Sequence, residues 1–226
     1  MITQRNNRLF FLLFILFSTS LLQAEETIFA FFTPPKEWKI SAPSLFKDGV
    51  KIGFVHPKKQ DFPPSITLSL EHIKDVPLKT YLKAVKKNYE KDLKIRYREL
   101  GFLTTSLGEA HLAQIEISKP WGEIRTLQTI LIKDGYALIQ TGVCKKEDLM
   151  DVHEDFLSTF RSLSSAENFL ESLDSSPKRE TLEQKIANLS EKNWLPFVNY
   201  ITKTFEKEGP CWQFLALQTI KEGLLK

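Results

Sequence analysis

The 226-residue sequence has little of what usually marks an active site. Its nine glycines leave scant backbone for cradling phosphates, and no Walker A loop, nucleophile elbow or glycine-rich dinucleotide turn occurs. Four histidines, His56, His72, His111 and His153, stand apart without an i, i+4 pair or an HExxH, so the usual zinc-hydrolase ligands are missing. No catalytic residue, metal set or cofactor is therefore assigned. Net charge is lacking too. Setting aside Arg5 and Arg8, 29 basic residues face 28 acidic ones, a balance that gives nucleic-acid binding no support. The apolar run Leu9 to Leu22 holds 14 residues, short of the ~20 that span a bilayer.

That run belongs to a separate object. Arg5 and Arg8 precede it, and Leu22-Gln23-Ala24 follows with a small residue, the pattern of a secretory signal peptide over 1–24. The expectation is export to the periplasm or envelope, or secretion, with a mature start near Glu25. The rival reading is an uncleaved segment that anchors the chain to a membrane. An exported chain meets an oxidising compartment, where Cys144 and Cys211 have one pairing open to them. A bond between them would staple the C-terminal tail to the main domain; the alternative is two buried thiols acting as small apolar residues.

What is present centres on a hairpin. Two runs rich in Ile, Leu, Thr and Val flank Asp134-Gly135, a two-residue turn suited to antiparallel strands. That tip sets Lys133 opposite Tyr136, Leu131 opposite Leu138 and Ile130 opposite Ile139, apolar pairs fit for the middle of a sheet. Upstream, Ser65 to Glu71 alternates cleanly, with Ile66, Leu68 and Leu70 on one face. A helix is expected after Asp75 as N-cap and Pro77 in the first turn. Its apolar stripe runs through Leu78, Tyr81, Leu82, Val85, Tyr89 and Leu93, with lysines opposite. Strands from about residue 97 to 144 form an antiparallel meander, and a second helix spans about Glu147 to Leu163. The serine-rich, acidic stretch 164–176 reads as a linker. Pro177 opens a helical module over 177–226, broken at Gly209-Pro210.

The region from Pro34-Pro35 and Trp38 through the Pro77 helix, Leu107-Gly108-x-Ala110, the long hairpin and Phe160-Arg161-Ser162-Leu163 resembles the PsbP-like superfamily, which includes exported bacterial proteins of the DcrB type. The leader and helical tail also look like those of exported chlamydial proteins. Glu37 stands where a glycine often precedes the family tryptophan. The resemblance implies an α+β fold, an antiparallel sheet flanked by helices as an α/β/α sandwich over 25–163, with a small helical C-terminal module. It implies binding or assembly roles and transfers no functional residue.

Charge patterning is the sharpest functional signal. Residues 74–98 carry nine basic side chains against three acids, a net +6, whereas 147–174 carry −7. Lysines crowded on one helical face repel one another unless an anion lies near. Lys79, Lys83, Lys86 and Lys87 are thus candidate contacts to an acidic protein or anionic envelope surface, against the plainer reading of a solvated face. Trp121, in a tight turn, is either a contact residue or a plug at the layer edge. Trp194 and Trp212 belong to an aromatic tail that packs on itself, on the sheet or on another chain. The function expected is a non-enzymatic, exported binding or assembly protein; the competing class is an enzyme whose site assembles from scattered residues.

Overall fold

Asp134 and Gly135 both adopt positive φ, 49° and 79°, so the two-residue turn closes in the conformation that suits a twisted hairpin. In the computed structural model, which describes residues 28–46, 49–58 and 61–224, this turn joins β7 (Gly122–Lys133) to β8 (Tyr136–Lys145). Lys133 pairs with Tyr136, Leu131 with Leu138 and Ile130 with Ile139, the register expected from the turn. With β5 (Ile95–Thr105) and β6 (Gly108–Lys119), the hairpin completes a four-stranded antiparallel meander. On its other side β8 pairs with β4 (Ser65–His72), which pairs with β3 (Val50–Val55) and then the two-residue β2 (Lys39–Ile40). The order β2-β3-β4-β8-β7-β6-β5 puts β8 in the middle of seven strands.

Alternation decides the two faces. On one, Ile52, Phe54, Ile66, Leu68, Leu70, Leu127, Leu131 and Leu138 are buried under α2 (Leu149–Arg161), whose Val152, Phe156 and Phe160 point inward. Burying each such side chain contributes about 1.5–3 kcal/mol. One polar bolt crosses this layer. Gln140 donates from Nε2 to the Thr159 carbonyl at 3.3 Å and accepts from Thr129 Oγ1 at 3.3 Å. The opposite face carries a smaller cluster, Ile130, Ala137 and Ile139, beneath α1 (Leu78–Tyr89).

That helix is shorter than its periodicity suggests. Asp75 does not cap it: Pro77 takes the N-cap position, no side chain caps the end, and the Pro77 carbonyl accepts from the Thr80 and Tyr81 amides. Leu93, placed on the apolar stripe by spacing, lies beyond the helix end and is fully exposed.

The C-terminal helices share the main core. β1 (Phe29–Phe31) pairs with β9 (Ser164–Ala166) in a second, two-stranded sheet. Within 164–176, expected as a linker, three residues are therefore a strand, and Phe169 and Leu173 are buried. Three helices follow, α3 (Ser176–Ala187), α4 (Trp194–Thr204) and α5 (Gly209–Leu224). Gly209-Pro210 opens α5; it starts one helix as well as separating it from the last. One apolar cluster runs from Ile28 and Phe29 through the sheet to Cys211, Trp212 and Ile220.

Of the two readings of the cysteines, the Cys144–Cys211 staple is overturned and the buried thiols stand. Both cysteines are free and buried, and they are not at disulfide distance. Cys144 ends the central strand with its thiol toward the Arg125 carbonyl, whereas Cys211 is fixed in the first turn of α5. The tail is held by apolar packing instead. The leader expected over 1–24, its cleavage point and the rival anchor lie outside the described residues. Among those described, no helix is long and apolar enough to cross a membrane.

Candidate functional site

The lysine face sits on a thin helix. Leu78, Tyr81, Leu82 and Val85 are half-buried against the sheet, and no residue of α1 is fully buried. Tyr81 donates its hydroxyl to Glu71 Oε2 beneath the helix. Burial raises the Glu71 carboxyl above its usual range, and the Tyr81 bond offsets part of that rise. Burial and the adjacent carboxylate likewise push the Tyr81 hydroxyl up. At the far end Tyr89 stacks on Tyr97 of β5, with ring centroids 5.5 Å apart. These groups fix the helix so that Lys79, Lys83, Lys86 and Lys87 all face solvent. Lys86 lies 3.3 Å from Glu99, an exposed pair of the kind that contributes at most about 1 kcal/mol. Among the described residues, Lys79, Lys83 and Lys87 have no ion-pair partner.

Two further basic side chains lie on β5, on the face of the sheet away from α1. Arg96 and Arg98 are exposed, and Arg98 donates to Gln114 Oε1 at 3.4 Å. A bulge at Leu100, with Gly101 at φ 109°, shifts the register against β6. Leu100 and Phe102 are exposed beyond it, Phe102 by 61%. Under the Phe102 ring lies His111, buried, with neither ring nitrogen hydrogen-bonded. Its Nε2 is 4.0 Å from Glu99 Oε2. Burial holds the imidazole below its usual pKa, and the Glu99 charge offsets part of the shift.

The three candidate tryptophans fare differently. Trp121, in the turn between β6 and β7, is half exposed and leans on Phe62 at a centroid distance of 5.3 Å. Trp194 is partly buried against Phe197, beside Leu195, which is 74% exposed. Trp212 is a core residue and leaves the set of surface contacts. It is completely buried, surrounded by Phe29, Phe169 and Phe205, and its indole N–H donates to Ser172 Oγ at 2.6 Å. Its place in an aromatic tail could not say which surface covers it.

Reactive groups stay apart. Burial pushes both the Cys144 and the Cys211 thiol up to about 12. His56 meets Trp38 edge-on, His72 lies against Tyr136, and His153 faces Glu154. No three His, Cys, Asp or Glu side chains gather as metal ligands among the described residues. A cavity of about 120 Å³ is lined by His56, Lys58, Pro64, Asp148, Asp151 and Val152. That volume has room for a few water molecules, whereas drug-sized ligands occupy about 300–1,000 Å³. The lysine face was legible from helical spacing and charge, whereas the turn leaves Trp121 between a contact residue and a plug. The His111–Glu99–Phe102 group was not legible, because it assembles across a bulge.

No family model matches the chain, and none of the curated proteins does. Solved structures do. LpqN, involved in cell envelope biogenesis of Mycobacterium tuberculosis, is similar with a TM-score of 0.49 and 12% identity, over 64% of this chain and 87% of that one. The protein PA94 from Pseudomonas aeruginosa gives 0.44 and 16%, over 56% and 96%. The cyanobacterial PsbP of Synechocystis sp. PCC 6803 gives 0.45 and 10%, over 66% and 98%. At these identities no residue role transfers to this chain.

Proposed function

We propose that this chain is an exported, non-enzymatic binding or assembly protein of the bacterial envelope, and that its basic face receives an acidic protein partner. One observation carries the reading. Lys79, Lys83, Lys86 and Lys87 stand exposed on one helix. Such a concentration raises the free energy of the isolated protein and lowers it again when carboxylates arrive. Trp121, held at the sheet end by Phe62, offers an apolar contact at low entropic cost.

The test is binding of the mature chain to acidic polypeptides across a salt series, with a K79E/K83E/K87E variant alongside. Affinity that falls with salt and collapses on charge reversal supports the reading. Binding indifferent to both would remove it. Retention on anionic vesicles without affinity for acidic polypeptides would move the partner from protein to lipid.

A further inference from the structure

We infer that the β5 edge takes an extended strand from that acidic partner, adding it to the sheet with carboxylates at alternate positions opposite Arg96 and Arg98. This rests on the acidic-partner reading and names how the partner is held.

The two edges of the sheet differ sharply. At one end β2 has two residues, a length that leaves almost nothing to pair with. At the other, β5 has eleven and, among the described residues, no neighbouring strand beyond it. The phase of its hydrogen bonds can be read off. Ser118 donates its amide to the Lys94 carbonyl at 3.1 Å, so 94, 96 and 98 face β6. The backbone groups of Tyr97 and Glu99 therefore point outward. This stretch is regular up to the bulge at Leu100.

Charge then selects the occupant. Arg125 of β7 is ion-paired with Glu116 of β6, and Glu116 pairs across with Arg96 of β5. Along this row the signs alternate, and the row ends on a positive charge at the open edge. An added strand places its next side chain on the same face, beside Arg96, where a carboxylate continues the alternation. Two residues along, a second carboxylate meets Arg98. The residue between them turns to the other face, beside Tyr97, whose ring already stacks on Tyr89. The expected ligand thus alternates acidic and apolar residues. A second copy of this chain brings Arg96 and Arg98 to the edge instead, the wrong sign.

The experiment uses the mature chain and two synthetic peptides of one composition, one alternating glutamate with valine and one with the glutamates in a block. The alternating peptide should bind at least about tenfold more tightly, and slow amide exchange at Tyr97 and Glu99. R96E/R98E, at exposed positions, should lose that affinity and recover it with lysine in place of glutamate. Equal binding of both peptides, or binding without protection of Tyr97 and Glu99, overturns strand addition. If R96E/R98E binds normally while K79E/K83E/K87E does not, the acidic-partner reading survives and this inference falls. If no acidic peptide binds, both fall. Sedimentation showing a dimer that R96E/R98E dissolves would give the edge to a second copy and also overturn it.

Discussion

A β-carbon added to Gly142 would lie 2.7 Å from Cγ of Phe156, nearer than any side chain can approach. The ring of α2 rests directly on the backbone of the central strand, and this contact sets the distance between helix and sheet. Gly142→Ala should cost about 1–3 kcal/mol by forcing that layer apart. In a Phe156→Ala background the same change should cost less, because the Cγ, Cδ1 and Cδ2 atoms that clash are gone. Urea denaturation of the four proteins in this cycle measures the coupling; equal costs in both backgrounds would contradict the contact.

Both thiols should be silent in the folded protein. Cys144 and Cys211 are buried, unpaired and held up to about 12, so neither supplies thiolate near neutral pH. Alkylation of the native chain should add no label. In denaturant without any reductant, it should add two. A chain needing reduction before it labels would revive the disulfide.

Much of this fold could be read in advance where a local rule fixed a long-range result. Asp134-Gly135 set the register of the central hairpin, and the alternation of Ile66, Leu68 and Leu70 set the buried face of β4. The reading failed where structure depends on partners far along the chain. Ser164–Ala166 has no apolar pattern, yet it pairs with Phe29–Phe31 because the end of α2 delivers it there. Leu93 kept the helical period but fell past the helix end, where nothing covers it. Of the candidate contacts, the lysines were placed outward by helical spacing, while the turn position left Trp121 open between contact and plug, and it is half exposed. Trp212 shows the limit: a place in an aromatic tail says that a side chain is apolar, not which surface buries it.

His111 should give the fold a dependence on mild acid. Its imidazole is buried among Ile130 and Phe102, with the Glu99 carboxylate near it and Lys86 engaged on that same carboxylate. Burial lowers its folded pKa below the usual 6.5, so the unfolded chain takes up a proton that the folded chain refuses. Stability from this group is present above about pH 6.5 and is lost as pH falls through the depressed value. His111→Phe should flatten that slope. Glu99→Gln should extend the loss to lower pH and deepen it, since the charge that favours the imidazolium is removed. Denaturant midpoints at a series of pH values decide both; an unchanged slope in His111→Phe would place the titration elsewhere.

The C-terminal helices should prove inseparable from the sheet. Trp212 fills the space between Phe29, Phe169 and Phe205, and its N–H is satisfied by Ser172, a residue in the stretch that reads as a spacer. Ser172→Ala leaves that buried donor without an acceptor and should cost about 1–3 kcal/mol. Ser172→Thr retains a hydroxyl and should recover part of the loss. Ending the chain after Ser175 does more. It strips α3, α4 and α5 from a cluster that includes Ile28, Phe29 and Phe32, and opens that apolar surface to water. The shortened chain should melt at a lower temperature, bind a hydrophobic dye and aggregate. If it instead melts as sharply and as high as the full chain, the helices are an appendage and the core closes without them.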